Sequence, residues 1–365
     1  MVKIFTIVAV LLSATQIYAK GRVVSEQMVG SMLMVGFYGT SAKRDSQICR
    51  DIKRYNLAGV ILFDFNPTDR SRPKNISNKK QLAQLTRELK ACSRDGKLLI
   101  AIDQEGGRVQ RLKSKYGFYG KFLKASDISK LKDAQIKSHY THMAKELKSV
   151  GLNYDLAPVV DLDINPKNHV IHGLGRSFGS DPKRVAKYAS LFISSMHDSG
   201  VLTSLKHFPG HGSSTGDTHK GFVDVTNQWQ SKELEPYKIL ISQNRVDTVM
   251  VAHVYNKNLD PKYPATLSSK IINGKLRGEL GFRGVVITDD MQMGAIGVYS
   301  LKDRIRLAIN AGNDILLFGN QLNPRSTVST KTLIDTIISL VNSKSINPKS
   351  IRNANIRVKN LKNRL

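Results

Sequence analysis

The amino-acid sequence predicts an α/β protein, built as a single (β/α)8 barrel of the TIM-barrel type with a C-terminal helical extension. Short stretches that are apolar throughout alternate with amphipathic helical stretches, and about eight such units follow one another. Strands that are apolar on both faces are typical of parallel strands covered on both sides, and eight units favour a closed barrel over a doubly wound sheet. Polar residues also gather where the apolar stretches end, which is the active-site edge of such barrels.

The predicted elements follow one another in order along the chain. The expected strands cover 28–37, 58–63, 98–102, 154–162, 201–205, 246–253, 284–289 and 314–318. The expected helices cover 46–55, 128–150, 182–199, 231–243, 268–280, 301–311, 328–342 and 348–365, together with a helix in which Leu82, Leu85 and Leu89 share one face. Gly151 and Gly200 come directly after two of these helices, as expected of residues that end a helix.

Residues 1–19 predict a secretory signal peptide. Lys3 supplies a cationic start, residues 4–12 form a short apolar stretch, and the small residue Ala19 fits a cleavage site. This stretch is too short to span a membrane, and no second stretch of membrane length follows it. An uncleaved amphipathic anchor is the alternative. We therefore expect residues 20–365 to form one exported barrel domain, periplasmic or secreted from a bacterium, and to be monomeric.

Composition restricts the partners that fit this chain. Its 365 residues contain 56 Lys and Arg against 29 Asp and Glu, which gives a net charge of +27, and 41% of the residues are hydrophobic. That apolar fraction suits a globular core and argues against disorder. The charge predicts attraction to polyanions, but no nucleic-acid-binding motif is present and the basic residues are spread out, so we expect no nucleic-acid partner. An anionic polymer of the cell envelope, or merely a Lys-rich solvated surface, would account for the charge.

Cys49 and Cys92 are the two cysteines of the chain. In an exported protein, cysteines on neighbouring helices can form a disulfide, and buried free thiols are the alternative. Both lie far in sequence from the histidine-rich stretch described next, so they do not predict a metal site.

The richest cluster of polar residues is 206–219, which reads Lys-His-Phe-Pro-Gly-His-Gly-Ser-Ser-Thr-Gly-Asp-Thr-His and follows an apolar strand. A loop of Gly, Pro and Ser with this many titratable groups suits a functional site better than a core. Asp217 and His219 are close enough in sequence for the carboxylate to orient the imidazole. The polar residues found at or beyond strand ends are Asp103, Glu105, Arg176, Lys206, His207, His253, Asp289 and Asp290.

Two hydrolytic chemistries fit these residues. A metal hydrolase would use His207, His211 and His219 with an Asp as ligands, but the H-x-H pattern common at the first strand of barrel metal sites is missing. A glycosidase needs a nucleophile or base that faces an acid across the scissile bond. Asp289, at a strand end, suits the nucleophile, and His219, with Asp217 behind it, suits the acid/base group.

Four groups of motifs give the chain a family resemblance. They are 206–219, 102–111 (Ile-Asp-Gln-Glu-Gly-Gly-Arg-Val-Gln-Arg), 156–159 with 175–179 (Leu-Ala-Pro-Val and Gly-Arg-Ser-Phe-Gly), and 286–290 (Val-Ile-Thr-Asp-Asp). With these motifs the chain resembles the single-domain bacterial β-N-acetylglucosaminidases (β-N-acetylhexosaminidases) of glycoside hydrolase family 3. The resemblance covers nearly the whole expected mature chain.

The resemblance implies a retaining hydrolase without a metal or cofactor. Such an enzyme removes terminal β-linked N-acetylglucosamine from peptidoglycan fragments (muropeptides) through a covalent glycosyl-enzyme intermediate. By matching position, Asp289 is implied as the nucleophile, in preference to Asp290, which the residues alone leave open. His219 is implied as the acid/base group and Asp217 as the residue that orients it. The residues implied to bind the sugar are Asp103, Arg111, Arg176, Lys206 and His207.

Two features depart from the family pattern. Members with a second domain take their acid/base group from elsewhere, and too few residues follow Asp289 here for that domain. Single-domain members of the type resembled usually lack a signal and act in the cytoplasm, whereas this chain is expected to be exported. These departures leave the physiological substrate open and not the chemistry. The alternative function, from another class, is a catalytically idle barrel that uses its basic surface to bind peptidoglycan in the cell envelope.

Three further polar residues are expected to have structural roles or, for one of them, to line the pocket. We expect His211 to shape its loop and not to act in catalysis. His253 is expected either to be a satisfied strand-end residue or to line the pocket. Glu105 is expected to tie the Gly106–Gly107 turn and not to contact the sugar.

Overall fold

The computed structural model describes residues 24–322 and 327–365, so the predicted signal peptide at 1–19 lies outside the described residues. In the described chain, eight parallel strands form a ring: β1 (Leu33–Gly36), β2 (Gly59–Ile61), β3 (Leu99–Ile102), β4 (Tyr154–Asp155), β5 (Leu202–Phe208), β6 (Thr248–Val251), β7 (Val285–Thr288) and β8 (Leu316–Phe318). The strands pair in chain order, and β1 also pairs with β8. Ile287 bridges to Ile315, and the Thr288 N–H donates to the Ile315 carbonyl at 3.0 Å. The ring is closed, and the predicted (β/α)8 barrel is confirmed.

Helices surround the ring. They are α1 (Glu26–Gly30), α2 (Gln47–Tyr55), α3 (Lys79–Cys92), α4 (Ala125–Ile128), α5 (Asp133–Ser149), α6 (Pro182–His197), α7 (Glu235–Ser242), α8 (Leu301–Ala311), α9 (Thr330–Asn342) and α10 (Pro348–Lys362). The helix between β6 and β7, Lys270–Glu279, is wound as a π-helix. The predicted helices are all present, with shifted ends. Over the residues that the structure describes, no helix is both long enough and apolar enough to cross a bilayer.

Most strands are shorter than predicted, and β1, β4 and β5 differ from their predicted extents for identifiable reasons. The stretch 28–37 begins as a helix, because the Ser25 side chain caps α1, and only its second half forms β1. β4 is short, because Pro158 lacks the N–H that would continue the ladder. β5 runs further than predicted, so Lys206 and His207 belong to the strand itself, at an irregularity in its pairing with β6. The Lys206 backbone bonds instead to the chain after β4, through its N–H to the Pro158 carbonyl at 3.2 Å and its carbonyl to the Val160 N–H at 2.8 Å.

Short polar side chains and glycine define where the helices begin and end. Asp181 and Asn347 each accept a hydrogen bond from a backbone N–H in the first turn of α6 and α10, and a proline follows each of them. Gly312 ends α8 with φ of 106°, a conformation that favours glycine. These helix ends are therefore determined by residues within or next to each helix.

Helix α10 closes the amino-terminal end of the barrel and is the predicted C-terminal extension. Its Val358 and Leu361 pack into the apolar interior formed by the inward-facing strand residues. Its Arg357 donates to Asp314, a buried carboxylate at the start of β8, at 2.9 Å through Nε and lies 2.7 Å from it through Nη2. The polar pocket described below therefore lies at the opposite, carboxyl-terminal end of the strands.

Cys49 and Cys92 form a disulfide that joins α2 to α3. Their Cα atoms are 5.2 Å apart, and 43 residues separate them in sequence. The structure thus decides between the two states that the sequence left open. The bond ties together the helices that follow β1 and β2.

Candidate active site

The carboxyl ends of the strands surround a pocket of about 430 Å³. Its wall includes all eight residues predicted to form the site: Asp103, Arg111, Arg176, Lys206, His207, Asp217, His219 and Asp289. Phe63, Phe65 and Leu322 add apolar surface to the wall. An apolar wall with a few converging polar groups is typical of a site for a small ligand. The barrel thus brings these residues together, and their individual roles remain predictions.

Asp289 directly follows β7, and its backbone N–H donates to β6 at 3.0 Å. Its Oδ1 accepts a hydrogen bond from the Asp290 N–H at 2.7 Å. Burial alone would raise the pKa of Asp289, but His253, His207 and His219, together with that hydrogen bond, outweigh burial and hold the pKa below its ordinary value. Asp289 is therefore an ionised carboxylate fixed at a rigid strand end.

Asp290 has a different environment. Its Oδ1 accepts hydrogen bonds from the backbone N–H groups of Gln292 at 3.0 Å and Gly319 at 3.3 Å. Burial, together with the neighbouring Asp289 charge, raises the pKa of Asp290 to about 6 against the effect of these bonds. The carboxyl of Asp290 is thus occupied by the backbone, which favours Asp289 as the carboxylate that a ligand meets.

His219 lies at the rim of the pocket, with half of its side chain exposed. Its Nδ1 is 2.8 Å from Asp217 Oδ1, which also accepts the His219 backbone N–H at 3.0 Å. Burial would raise the pKa of Asp217, but the hydrogen bonds from His219 lower it below its ordinary value. The loop is held against the chain after β7, where Gly294 and Ala295 donate N–H bonds to the carbonyls of His219 and Thr218 at 3.3 and 3.0 Å.

A network of charged side chains with little exposure forms the part of the pocket wall at the carboxyl ends of β3 and β5. The Lys206 ammonium lies 2.9 Å from Asp103 and 2.7 Å from Glu105. The Arg176 guanidinium makes two parallel hydrogen bonds to Glu105, at 2.7 and 2.8 Å. Burial alone would raise the pKa values of both carboxyls, but the cations outweigh it and hold these pKa values below the ordinary range. All four side chains are therefore charged, paired and fixed in place.

Glu105 ties the turn through its backbone, since its N–H donates to the Val109 carbonyl at 2.9 Å. Backbone bonds hold the Gly106–Gly107 turn, including one from the Gly107 N–H to the Phe122 carbonyl at 2.8 Å. The Glu105 carboxylate instead pairs with Arg176, which is 71 residues away in sequence. Nothing local to the turn indicates that pairing, and the bidentate geometry explains it.

Two more of the predicted residues are held by carboxylates. Arg111 Nη2 donates to Asp103 Oδ2 at 3.4 Å. His207 Nδ1 lies 2.7 Å from Asp161 Oδ2, and its Nε2 lies 3.4 Å from Arg176 Nη2. A carboxylate only accepts, so Nδ1 carries the proton and Nε2 faces the Arg176 donors. Asp161 escaped the sequence analysis because it lies inside a predicted strand, although an acid in an apolar stretch is a usable signal.

His211 and His253 are both buried and do not line the pocket. His211 Nδ1 bonds to Ser214 Oγ at 2.8 Å within its own loop, and burial lowers the pKa of His211 to about 4. His253 Nε2 donates to the Asp290 carbonyl at 2.9 Å, and its Nδ1 bonds to Thr266 Oγ1 at 2.8 Å. His211 therefore shapes the loop as expected, and His253 is the satisfied strand-end residue of its two alternatives.

The three imidazoles of the metal-site alternative have separate partners. His207 bonds to Asp161 and His219 bonds to Asp217, whereas the His211 ring stays within its loop. Across 24–322 and 327–365, no group of three or more His, Cys, Asp or Glu side chains is arranged to hold a metal ion. The three imidazoles therefore do not form a shared set of ligands in the described residues.

Segment 211–214, the first part of the histidine loop, is fixed by three residues that the sequence analysis missed. Asn165 Nδ2 donates to the carbonyls of Ser213 and Ser214 at 2.9 and 3.0 Å. Asn168 Nδ2 donates to the carbonyls of His211 and Gly212 at 2.8 and 3.1 Å. The Glu233 carboxyl accepts hydrogen bonds from two backbone N–H groups of the segment, those of Gly212 at 3.1 Å and Ser213 at 3.3 Å. These contacts hold the base of the loop that carries His219, and no sequence pattern distinguishes them.

Comparison with known proteins agrees with this geometry. The family model described as glycosyl hydrolase family 3 N terminal domain matches residues 24–361. The Beta-hexosaminidase A of Pseudoalteromonas piscicida is 30% identical over 93% of this chain and 61% of its own length. The Beta-hexosaminidase of Stenotrophomonas maltophilia is 32% identical over 87% of this chain and 88% of its own length.

Solved structures give the same result. A glycoside hydrolase family 3 beta-N-acetylglucosaminidase from Paenibacillus sp. superposes with a TM-score of 0.81 at 32% identity, over 93% of this chain and 62% of its own. A Beta-N-acetylhexosaminidase from Beutenbergia cavernae gives a TM-score of 0.81 at 30% identity, over 93% and 99% of the two chains. This chain therefore spans about three-fifths of the Pseudoalteromonas and Paenibacillus proteins and nearly all of the Beutenbergia protein. With its family model, barrel and pocket in agreement, the chain belongs to glycoside hydrolase family 3.

Proposed function

We propose that this protein is a retaining exo-β-N-acetylglucosaminidase that releases terminal β-linked N-acetylglucosamine from peptidoglycan fragments. The activity named for its relatives supports the sugar, since both the curated and the solved relatives carry hexosaminidase or N-acetylglucosaminidase names. The observation that carries the proposal is the placement of Asp289 and the Asp217–His219 pair on one pocket.

In the first step, an Asp289 carboxylate oxygen attacks the anomeric carbon as the bond to the leaving oxygen breaks. His219, protonated on both ring nitrogens, donates its Nε2 proton to that oxygen and becomes neutral, and the sugar remains bound to Asp289 as an ester. In the second step, neutral His219 takes a proton from water, which attacks the same carbon and releases Asp289. Two inversions at one carbon retain the configuration, and both proton transfers use the same imidazole nitrogen.

The buried charges supply binding and orientation. Asp103, Arg111, Arg176, Lys206 and His207 would hold sugar hydroxyls and the N-acetyl group with directional, charge-assisted hydrogen bonds. Because Lys206 and Arg176 are already fixed by carboxylates, little side-chain entropy is lost when substrate binds. A preorganised wall of this kind favours the one sugar orientation that places the anomeric carbon against Asp289.

Export and the peptidoglycan substrate are part of the same proposal. A net charge of +27 suits work beside an anionic envelope, and the Cys49–Cys92 disulfide suits an oxidising compartment. The substrate is tested by incubating the enzyme with purified muropeptides and with intact cell-wall sacculi, and measuring free N-acetylglucosamine. Release from muropeptides supports the proposal, whereas release from chitin oligosaccharides alone would refute the peptidoglycan substrate.

The chemistry is tested with a nitrophenyl N-acetyl-β-glucosaminide in the presence of EDTA. We expect wild-type activity to survive the chelator, and the Asp289→Ala variant to lose at least about 10³-fold in kcat, because the nucleophile is gone. Asp290→Asn removes the adjacent carboxylate and is the matched control, with a much smaller loss. A wild type that is inactive on both the nitrophenyl glycoside and muropeptides would instead favour an idle peptidoglycan-binding protein.

Azide separates the two catalytic roles. In His219→Ala, azide attacks the glycosyl-Asp289 ester without needing a base, so activity returns and the product is the β-azide. In Asp289→Ala, azide replaces the nucleophile and gives the α-azide by a single inversion. Products of the opposite configuration would exchange the roles assigned to these two residues.

A further inference from the structure

A second cavity, of about 340 Å³, lies at the opposite end of the barrel from the active-site pocket. Its wall is formed by α10 and by the chain segments that lead into β1, β2 and β3. Three lysines line it: Lys97, Lys359 and Lys362. Asp95 is its acidic lining residue, so the wall as a whole is positively charged.

Lys362 is the unusual member of this wall. It is only 6% exposed and lines the cavity, yet in the described part of the chain its ammonium group makes no hydrogen bond and no ion pair. Burial lowers the pKa of Lys362, and Lys97 lowers it further, against the opposite effect of Asp95. The stem of Lys362 is buried while its ammonium group opens onto the cavity, so an anion there would offset the free-energy cost of holding that charge among buried atoms.

The single acid of the wall is already engaged. Asp95 Oδ1 accepts a hydrogen bond from Ser93 Oγ at 2.9 Å and another from the Lys97 N–H at 2.9 Å. The Lys97 ammonium donates to the Asn363 side chain at 2.9 Å, and Lys359 is exposed at the mouth. The three ammonium groups are therefore left with more positive charge than the wall neutralises.

The surroundings extend this charge beyond the cavity. After Asp335 the chain contains no Asp or Glu, whereas it contains seven Lys and Arg, most of them on or beside α10. A diffuse basic surface needs no ligand to explain it, but a lysine with a buried stem and an ammonium group that opens onto a cavity without a partner among the described residues is suited to pair with an anion. Several charged oxygens on one group match a wall with three lysines better than a carboxylate does.

We propose that this cavity binds a phosphate group of an anionic polymer, and that the polymer holds the protein by the base of its barrel. Because the cavity and the active-site pocket lie at opposite ends of the strands, a tethered protein keeps its pocket open. The net charge of +27 strengthens the attraction to a polymer more than to a single anion. This inference does not depend on the glycosidase activity.

The test is titration calorimetry of the full protein with short-chain polyphosphate and, separately, with inorganic phosphate. Lys359→Gln leaves the fold intact because the side chain is exposed, and we expect it to weaken polyphosphate binding about tenfold. Lys362→Gln should weaken binding at least as much, with melting temperature measured alongside to confirm folding. Lys349→Gln removes the same charge from an exposed position on α10 outside the cavity and is the matched control.

We expect the control to bind within about twofold of wild type, and the difference between variants to shrink as salt is added. Equal losses in Lys349→Gln and Lys359→Gln would mean that the basic surface acts diffusely, and would overturn the cavity as a site. Inorganic phosphate that binds as tightly as polyphosphate would overturn the polymer as the ligand.

Discussion

Asp217 Oδ1 accepts both the backbone N–H and the imidazole Nδ1–H of His219, at 3.0 and 2.8 Å. An ionised carboxylate only accepts hydrogen bonds, so the proton of neutral His219 lies on Nδ1. Nε2 is left as the nitrogen that exchanges a proton with substrate. Two bonds to one oxygen also fix the ring relative to the backbone, although half of the ring is exposed.

Asp217→Asn should therefore slow hydrolysis without unfolding the protein. The amide can donate to Nδ1 and so stabilise the tautomer with its proton on Nε2, which cannot act as the base in the second step. We expect kcat to fall about 10²-fold to 10³-fold, the range of a general acid–base contribution, with a smaller change in KM. Steady-state kinetics with the nitrophenyl glycoside measures both.

Asp224→Asn is the matched control for this variant, because Asp224 is exposed on the same connection and its side chain accepts the Thr226 N–H at 2.8 Å. It should retain wild-type kcat. A control that loses as much activity as Asp217→Asn would show that loop charge matters more than imidazole orientation, and the assignment of Asp217 would fail.

Glu105→Gln tests the buried charge network. The amide keeps the shape of the side chain but leaves Arg176 and Lys206 with one carboxylate fewer at 2.7–2.8 Å. Removing one partner of a buried ion pair typically costs about 3–5 kcal/mol. We expect a loss of unfolding free energy of about 3 kcal/mol in urea denaturation and a raised KM, because both cations lose their fixed positions.

Glu279→Gln, which removes an exposed carboxylate paired with Lys275 at 2.8 Å, is the comparison. Exposed pairs contribute about 0–1 kcal/mol, so this variant should match wild type within that range. If Glu105→Gln were equally harmless, the network would not contribute to stability in the way that its burial implies.

The sequence was sufficient to predict the barrel and the eight polar residues named above in the pocket wall. Apolar strands have a local signature, and residues such as Asp289 and Lys206 stand at or beside strand ends, where the topology of a barrel brings them together. The strand predicted over 28–37 is wrong in its first half, because the Ser25 side chain caps a helix there. The strand predicted over 154–162 is too long, because Pro158 lacks an N–H for the ladder.

The sequence could not predict hydrogen-bond partners that lie far apart in the chain. Glu105 bonds to Arg176 across 71 residues and His207 bonds to Asp161 across 46, and neither distance follows from periodicity or spacing. Glu233 offers no motif at all, since its carboxyl meets the base of the histidine loop only once both are folded. Such pairs are determined by packing, which a single sequence does not display.

Reduction of the Cys49–Cys92 disulfide should lower stability without abolishing the fold. The bond closes a loop with a sequence separation of 43 residues, for which the restricted entropy of the unfolded chain corresponds to about 2–4 kcal/mol. We expect a lower melting temperature with dithiothreitol than without it. The double variant Cys49→Ala, Cys92→Ala should melt at one temperature in both conditions. A wild type that is insensitive to reductant, with two titratable thiols before its addition, would contradict the bond.

Glu233 should make stability depend on pH near neutrality. Burial raises the pKa of Glu233 from 4.5 to about 7 in the folded protein, against the hydrogen bonds from segment 211–214. A carboxyl with a raised folded pKa contributes stability that is complete below about pH 4.5 and is lost as the pH rises through about 7. Wild type should therefore lose on the order of 2 kcal/mol from this group between pH 5 and pH 8.

Glu233→Gln removes this titration and retains one oxygen for the backbone N–H groups. The unfolding free energy of the variant minus that of wild type should therefore increase from pH 5 to pH 8, whatever its sign at pH 5. Denaturant melts at both pH values measure it, and Glu235→Gln, two residues along, controls for the loss of one negative charge. A difference that is constant with pH would mean that Glu233 is already ionised at pH 5. In that case the base of the histidine loop would be held by a permanent carboxylate.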